Sequence, residues 1–355
     1  MKHPVKIGID LRILLLSAII TQSIHAQSQA ISLFNFEPDV RVFTLHAFMN
    51  MAGVDGEWRK EGMHPLRIEI REKLKKTLDT AFIAKINSYT KRTENYGWAG
   101  WARYALLTSG PPDFKLEYDN LSTDIRDIES NFPNLSGLVS EFYTKADIPT
   151  LWKTYLPLYK KLNDGFKPHA QKAIDDIVVY CRLDSEHFQK NTSKIHVQFS
   201  PLMPYFTAQQ ATVNNELWLI FGPQEGETSA SSYYHEVLHE VVNPITESNP
   251  SSLTKLDPLF QLLKDKVTSY DVVNESFVRT IDKVLSGTLH GYSEEKVRQD
   301  ILNEYKLGFI LCPIIFESIP EYEESNMSFK EFYLKVINKI DIKTESERWE
   351  QFHRE

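Results

Sequence analysis

The chain has 355 residues, with 40 Lys and Arg against 48 Asp and Glu, 42% hydrophobic and 25% charged residues, and a formal net charge of −8. This is a globular composition with ample apolar and aromatic content for a sizeable core, which excludes a disordered chain. The acidic balance argues against general nucleic-acid binding, and two cysteines, Cys181 and Cys312, exclude a disulfide scaffold or a Cys-rich metal site.

Lys2 and Lys6 precede an apolar run, Ile13–Ile20, and Ser23-Ile24-His25-Ala26 offers a small residue before Gln27. This is the grammar of a secretory signal peptide over residues 1–26, with cleavage near Ala26. The run is too short to span a bilayer, so the expectation is an exported protein, periplasmic or extracellular, without a stable membrane anchor. Export would also permit a Cys181–Cys312 disulfide.

Residues 27–190 read as a mostly helical region. Ile31–Ala47 is dense in apolar residues and reads as one or two strands or an extended arm. In Pro65–Tyr89 the residues Ile70, Leu74, Leu78, Phe82 and Ile86 recur every four positions, the spacing of one helical face. Helices are also expected over Gly97–Thr108, ending at the turn Ser109-Gly110-Pro111-Pro112, and over Leu135–Thr144. A last one runs from Ile148 to Arg182, broken near Gly165 and Pro168.

Residues 191–355 carry a different texture, with no linker before them, so one domain continuous with 27–190 is favoured. Ile195–Ser200 and Glu216–Phe221 read as strands, and Glu216–Phe221 is a candidate edge for an added peptide strand or else a plain core strand. Tyr233–Val242 reads as a helix, capped from Thr228–Ser232 and stopped at Asn243-Pro244. Val272–Leu285, Ser293–Phe309 and Ser328–Ile337 complete a helix-dominated α+β chain with a small sheet before the Tyr233 helix.

That helix contains His235-Glu236-Val237-Leu238-His239. Histidines four apart lie one turn above the other, so both imidazoles can reach one zinc ion, and Glu236 can serve as general base toward water acidified by the metal. Tyr234, Val237, Leu238 and Val241 form a core-facing stripe that the histidines flank. A third ligand is required. Val242 and Ile245 replace the Gly and His of the metzincin continuation, and Glu247 lies too soon after Pro244. Glu275, thirty-six positions past His239, is the better choice, on a helix whose other face carries Val273, Phe277, Ile281, Val284 and Leu285. Arg279 and Asp282 share its stripe, and Asp282 is a candidate to orient a ligand histidine. His290 or Tyr292, expected in a Gly-containing loop, are candidates to steady an oxyanion.

The motif with its Asn-Glu partner helix resembles the gluzincin branch of zinc metallopeptidases. That resemblance implies a zincin-like fold, His235, His239 and Glu275 as zinc ligands and Glu236 as base. The wider layout resembles an uncharacterised family of exported bacterial proteins known as a domain of unknown function, in its early Trp/Tyr-rich helices, the Ser-Gly-Pro-Pro turn, the strand pair, His-Glu-x-x-His before Asn-Pro, and Glu275-Ser-x-x-Arg279. Glu240 after the second histidine departs from the common pattern. The expected function is an exported zinc-dependent metallopeptidase acting on a peptide or protein substrate. The alternative is a non-catalytic zincin scaffold that grips extended peptides or a surface partner.

Overall fold

A computed structural model describes residues 33–54, 62–90, 98–117, 123–224, 228–263 and 268–354. The expected signal peptide and its cut at Ala26 lie outside the described residues. No helix among the described residues is long and apolar enough to cross a membrane.

The chain is helix-dominated α+β. The region expected as strands or an extended arm, Ile31–Ala47, holds a short strand, β1 (Phe34–Asn35), followed by a helix, α1 (Val40–Ala52). Helices α2 (Pro65–Thr77), α3 (Thr80–Thr90), α4 (Trp98–Leu106), α5 (Thr123–Asn131) and α6 (Leu135–Lys145) follow. The fourfold apolar pattern is thus split in two. Leu78 is extended and Asp79 accepts from the Phe82 amide at 2.7 Å, starting a second helix, although Ile70 to Ile86 all stay buried. Helix α7 (Ile148–Tyr180) runs through Pro157 and Pro168 without the expected break. An interior proline costs about 3 kcal/mol, and burial of Phe166, Ala170, Ala173, Ile174 and Ile177 on one face outweighs it.

After α8 (His187–Asn191) come β2 (Lys194–Phe199), β3 (Ala208–Val213) and β4 (Glu216–Phe221). The sheet order is β1-β2-β4-β3, with β1 and β4 parallel to β2 and β3 antiparallel to β4. Asn214 and Asn215 both take positive φ in the two-residue turn between β3 and β4. Glu216–Phe221 is therefore an inner strand, and the edge is β3, which the sequence pattern did not reveal. Leu217–Phe221 are buried on both faces, as the unbroken apolar run of a central strand requires.

The remaining helices are α9 (Ser231–Glu247), α10 (Pro250–Thr254), α11 (Asp257–Phe260), α12 (Ser269–His290), α13 (Glu294–Lys306), α14 (Cys312–Glu323), α15 (Phe329–Lys339) and α16 (Ile342–Phe352). One sheet face, with Ile195, Val197, Leu217 and Leu219, packs in a cluster with α7, α9 and α12. The other, with Trp218, Ile220 and Ala211, meets Val42 of α1 and Ala102 and Leu106 of α4. Helix α7 reaches two cores, Tyr155 and Tyr159 in the N-terminal one and Phe166 to Ile177 in that of the sheet. Cys181 and Cys312 are buried free thiols, so the disulfide that export would permit is not formed.

Candidate metal centre

Helix α9 is held by its apolar stripe. Tyr234, Val237, Leu238 and Val241 are all buried, and the Tyr233 hydroxyl donates to the Phe166 carbonyl at 2.7 Å. Its ends differ from expectation. Ala230 occupies the N-cap position with no side-chain cap, and the helix continues through Pro244 to Glu247. Buried Thr246 secures that last turn, donating to Asn274 at 2.5 Å on α12 and lying 2.9 Å from the Tyr333 hydroxyl on α15. The Thr246–Asn274 contact at one end and His290–Ser231 at the other set α9 and α12 antiparallel.

His235 and His239 project from the flank of the stripe, their ring centroids 5.0 Å apart and nearly perpendicular. Glu275 on α12 meets them both, Oε2 lying 3.7 Å from His235 Nε2 and Oε1 3.4 Å from His239 Nε2. One ligand atom from each of the three falls within 4.8 Å of the others, forming a group that could hold a metal ion. Tetrahedral ligands at zinc–nitrogen and zinc–oxygen lengths lie about 3.3–3.4 Å apart, so small adjustments would bring these atoms into range. Two imidazoles and a carboxylate form a donor set suited to zinc and other borderline divalent cations.

Glu236 is 7% exposed, its Oε1 4.0 Å from His235 Nε2. Burial pushes its pKa up to about 7. Burial pulls His235 down to about 3. Burial also opposes charge on His239, but its hydrogen bond to Glu275 and the nearby carboxylates lift it above the ordinary value. Burial would raise Glu275, yet the His239 hydrogen bond and the charges of His235 and Arg279 hold it at about 2. In the metal-free protein a proton is therefore favoured on His239 over His235, and a metal would compete with it.

The partners around the cluster differ in part from those expected. Asn243 Oδ1 lies 3.2 Å from His239 Nδ1 and can fix that ring, one turn along the same helix. Asp282 was the candidate for this task, but its carboxylate takes hydrogen bonds from Lys283 at 3.1 Å and Ser286 at 3.3 Å. Glu247 is engaged elsewhere, accepting from the Tyr270 hydroxyl at 2.9 Å. Glu240 accepts from Gln210 and, at 3.2 Å, from Thr212, tying α9 to the edge strand β3.

His290 and Tyr292 do not join the cluster. His290 is the last residue of α12, with Gly291 as its left-handed C-cap, and its Nε2 lies 3.3 Å from Ser231 Oγ. Fifteen residues of helix separate it from Glu275, about 22 Å along the axis. Tyr292, 47% exposed, stacks beside His290 at that far end. On the neighbouring helix, His290 stands beside Ser231, one turn before His235.

Comparison with known proteins finds no matching family, no similar curated protein and no similar solved structure.

Proposed function

We propose that this chain is an exported zinc-dependent hydrolase, a metallopeptidase of gluzincin type acting on a peptide or protein. The observation that carries the reading is the convergence of His235, His239 and Glu275 within 4.8 Å beside the buried carboxylate of Glu236. A metal-binding scaffold alone has no use for a carboxyl held at that position with its pKa near 7. A general base works best when its pKa lies close to the working pH.

Bound zinc would supply a Lewis acid and lower the pKa of water to about 7. Glu236 accepts the water proton at its carboxylate and passes it to the leaving amine. Asn243 orients His239, and Glu275 supplies the anionic donor. The zincin-like reading of the fold draws support from the strand order, in which antiparallel β3 is an edge strand fastened to the motif helix through Glu240. An extended substrate would add along β3 by main-chain hydrogen bonds. Export rests on the sequence grammar of residues 1–26 and would be checked by a mature N-terminus at Gln27.

The test is metal analysis of the mature protein coupled to cleavage of a mixed peptide library. Stoichiometric zinc and cleavage are expected from the wild type. Glu236→Gln should keep zinc and lose cleavage, and Glu275→Ala should lose zinc. A wild type without zinc refutes the reading. Zinc without cleavage turns it into the peptide-gripping scaffold.

A further inference from the structure

Arg279 sits one helical turn past Glu275 and divides its guanidinium between two carboxylates. Its Nε donates to Glu275 Oε2 at 2.8 Å, and its Nη1 donates to Glu304 Oε2 of α13 at 2.8 Å. The guanidinium carbon lies 3.9 Å from the centre of the Phe309 ring. Glu304 is itself 8% exposed, and its other oxygen lies 3.2 Å from Lys283 Nζ, which also meets Asp282. Glu275 is thus linked through Arg279 to Glu304 of α13, and through Glu304 to Lys283 and Asp282 of α12.

We propose that Arg279 is the positioning residue of the metal centre, holding Oε2 of Glu275 on the His235 side so that Oε1 faces His239. The inference rests on the metal reading given above. A glutamate has three side-chain torsions, and a free one must be ordered when a metal arrives; Arg279 makes that ordering part of folding. Its two donated bonds leave Oε1 of Glu275 turned to His239. A cation beside a dication site would ordinarily weaken binding. Glu304 offsets that charge, so the clamp acts without repelling the metal. The planar fork is essential to this arrangement, because a lysine ammonium is a single point donor that cannot hold both carboxylates in fixed directions.

The experiment measures zinc affinity by competition with a chromophoric chelator for the wild type, Arg279→Lys, Arg279→Gln and Glu304→Gln. Metal-free melting temperatures and the visible spectrum of the cobalt-substituted proteins are recorded beside it. Loss of a partner that orients a metal ligand costs about 10–100-fold in metal affinity. That weakening is expected for both Arg279 variants, with a smaller one for Glu304→Gln, together with altered cobalt absorption. Arg279→Lys keeps the charge, so weakened zinc binding in a variant that still melts cooperatively assigns the effect to geometry. Should Arg279→Lys unfold, Glu304→Gln carries the test, because it leaves the Arg279 side chain in place and removes the charge that anchors it, together with that facing Lys283. Lowered melting temperatures with zinc affinity unchanged would overturn the proposal and leave Arg279 a structural ion pair. A wild type that binds no zinc overturns the metal reading and this inference together, whereas zinc-binding wild type with full-affinity variants overturns this inference alone.

Discussion

Replacing Glu236 by Gln in the metal-free protein should make it more stable near neutral pH, at the position where catalysis would be lost. The Glu236 side chain is buried, has no hydrogen-bond donor among the described residues, and carries a pKa pushed up by burial from 4.5 to about 7. A carboxyl whose folded value exceeds its unfolded value gives up its proton first in the unfolded chain. The penalty is absent below pH about 4.5, grows as pH rises to about 7, and is constant above. At 1.36 kcal/mol per pH unit, the gap is worth on the order of 3 kcal/mol at pH 7.5 and almost nothing at pH 4. Glutamine has nearly the same shape and no charge to bury. Urea denaturation in chelator, at pH 4 and pH 7.5, should therefore give similar stabilities at the lower pH and a more stable variant at the higher. Activity of the zinc-loaded variant should fall about 10²–10⁴-fold, the range for a lost general base. Parallel stability curves for variant and wild type across that pH range would refute the account of Glu236 as a strained, functional carboxyl.

His46 offers the opposite case far from the cluster: it is fully buried, 2.7 Å from Ser200 Oγ, and burial, with Arg67 adding to it, lowers its pKa to about 3. The unfolded chain binds the proton first, so stability should fall by about 2 kcal/mol between pH 7 and pH 5 relative to His46→Gln in chelator, and equal slopes in the two proteins would count against it. Gly287 faces α13 so closely that an added Cβ would lie 2.5 Å from Val297 Cγ2. Gly287→Ala should destabilise by about 1 kcal/mol despite alanine's better helix propensity, and Val297→Ala should suppress that loss in a double-mutant cycle followed by thermal melting.

The motif helix was legible in the sequence because its two histidines lie one turn apart on one face, so spacing alone brings them together. Glu275 was legible only through chemistry, as the carboxylate a third ligand requires, since nothing local says that α12 runs back along α9. Asn243 carried a usable signal, four residues past His239 on the same face, and was overlooked as a helix terminator because Pro244 follows it. His290 and Tyr292 were chosen by residue type, and what the sequence did not show is that the helix carrying Glu275 extends to His290 and sets it against Ser231 of α9.

The fold shows the same division between local and tertiary causes. Helix α1 buries eleven of its thirteen residues, so its sequence has neither the period of a strand nor that of a half-exposed helix. Strand β3, Ala-Gln-Gln-Ala-Thr-Val, is polar on the side facing α9, and its turn lacks the glycine that usually marks a hairpin. In both elements the deciding influence is what packs around the segment, which periodicity cannot read.

The position of the cluster follows from this packing. Helices α9 and α12 bury continuous apolar stripes in the core shared with the sheet, so their backbones are fixed by hydrophobic contacts that owe nothing to a metal. The polar side chains at the stripe's flank inherit that rigidity, and the cost of their convergence falls on a few groups: a carboxyl buried at Glu236, an imidazole at His235 whose charged form burial disfavours, and the buried pair of His239 and Glu275. A scaffold selected for stability alone would place apolar side chains at these positions, as it does one turn away at Val237, Leu238 and Val241. A divalent cation takes two neutral imidazoles and an anionic carboxylate as ligands, so the same occupant would relieve the charge imbalance at all three. That is the physical ground for reading these residues as one site and not as three independent surface side chains.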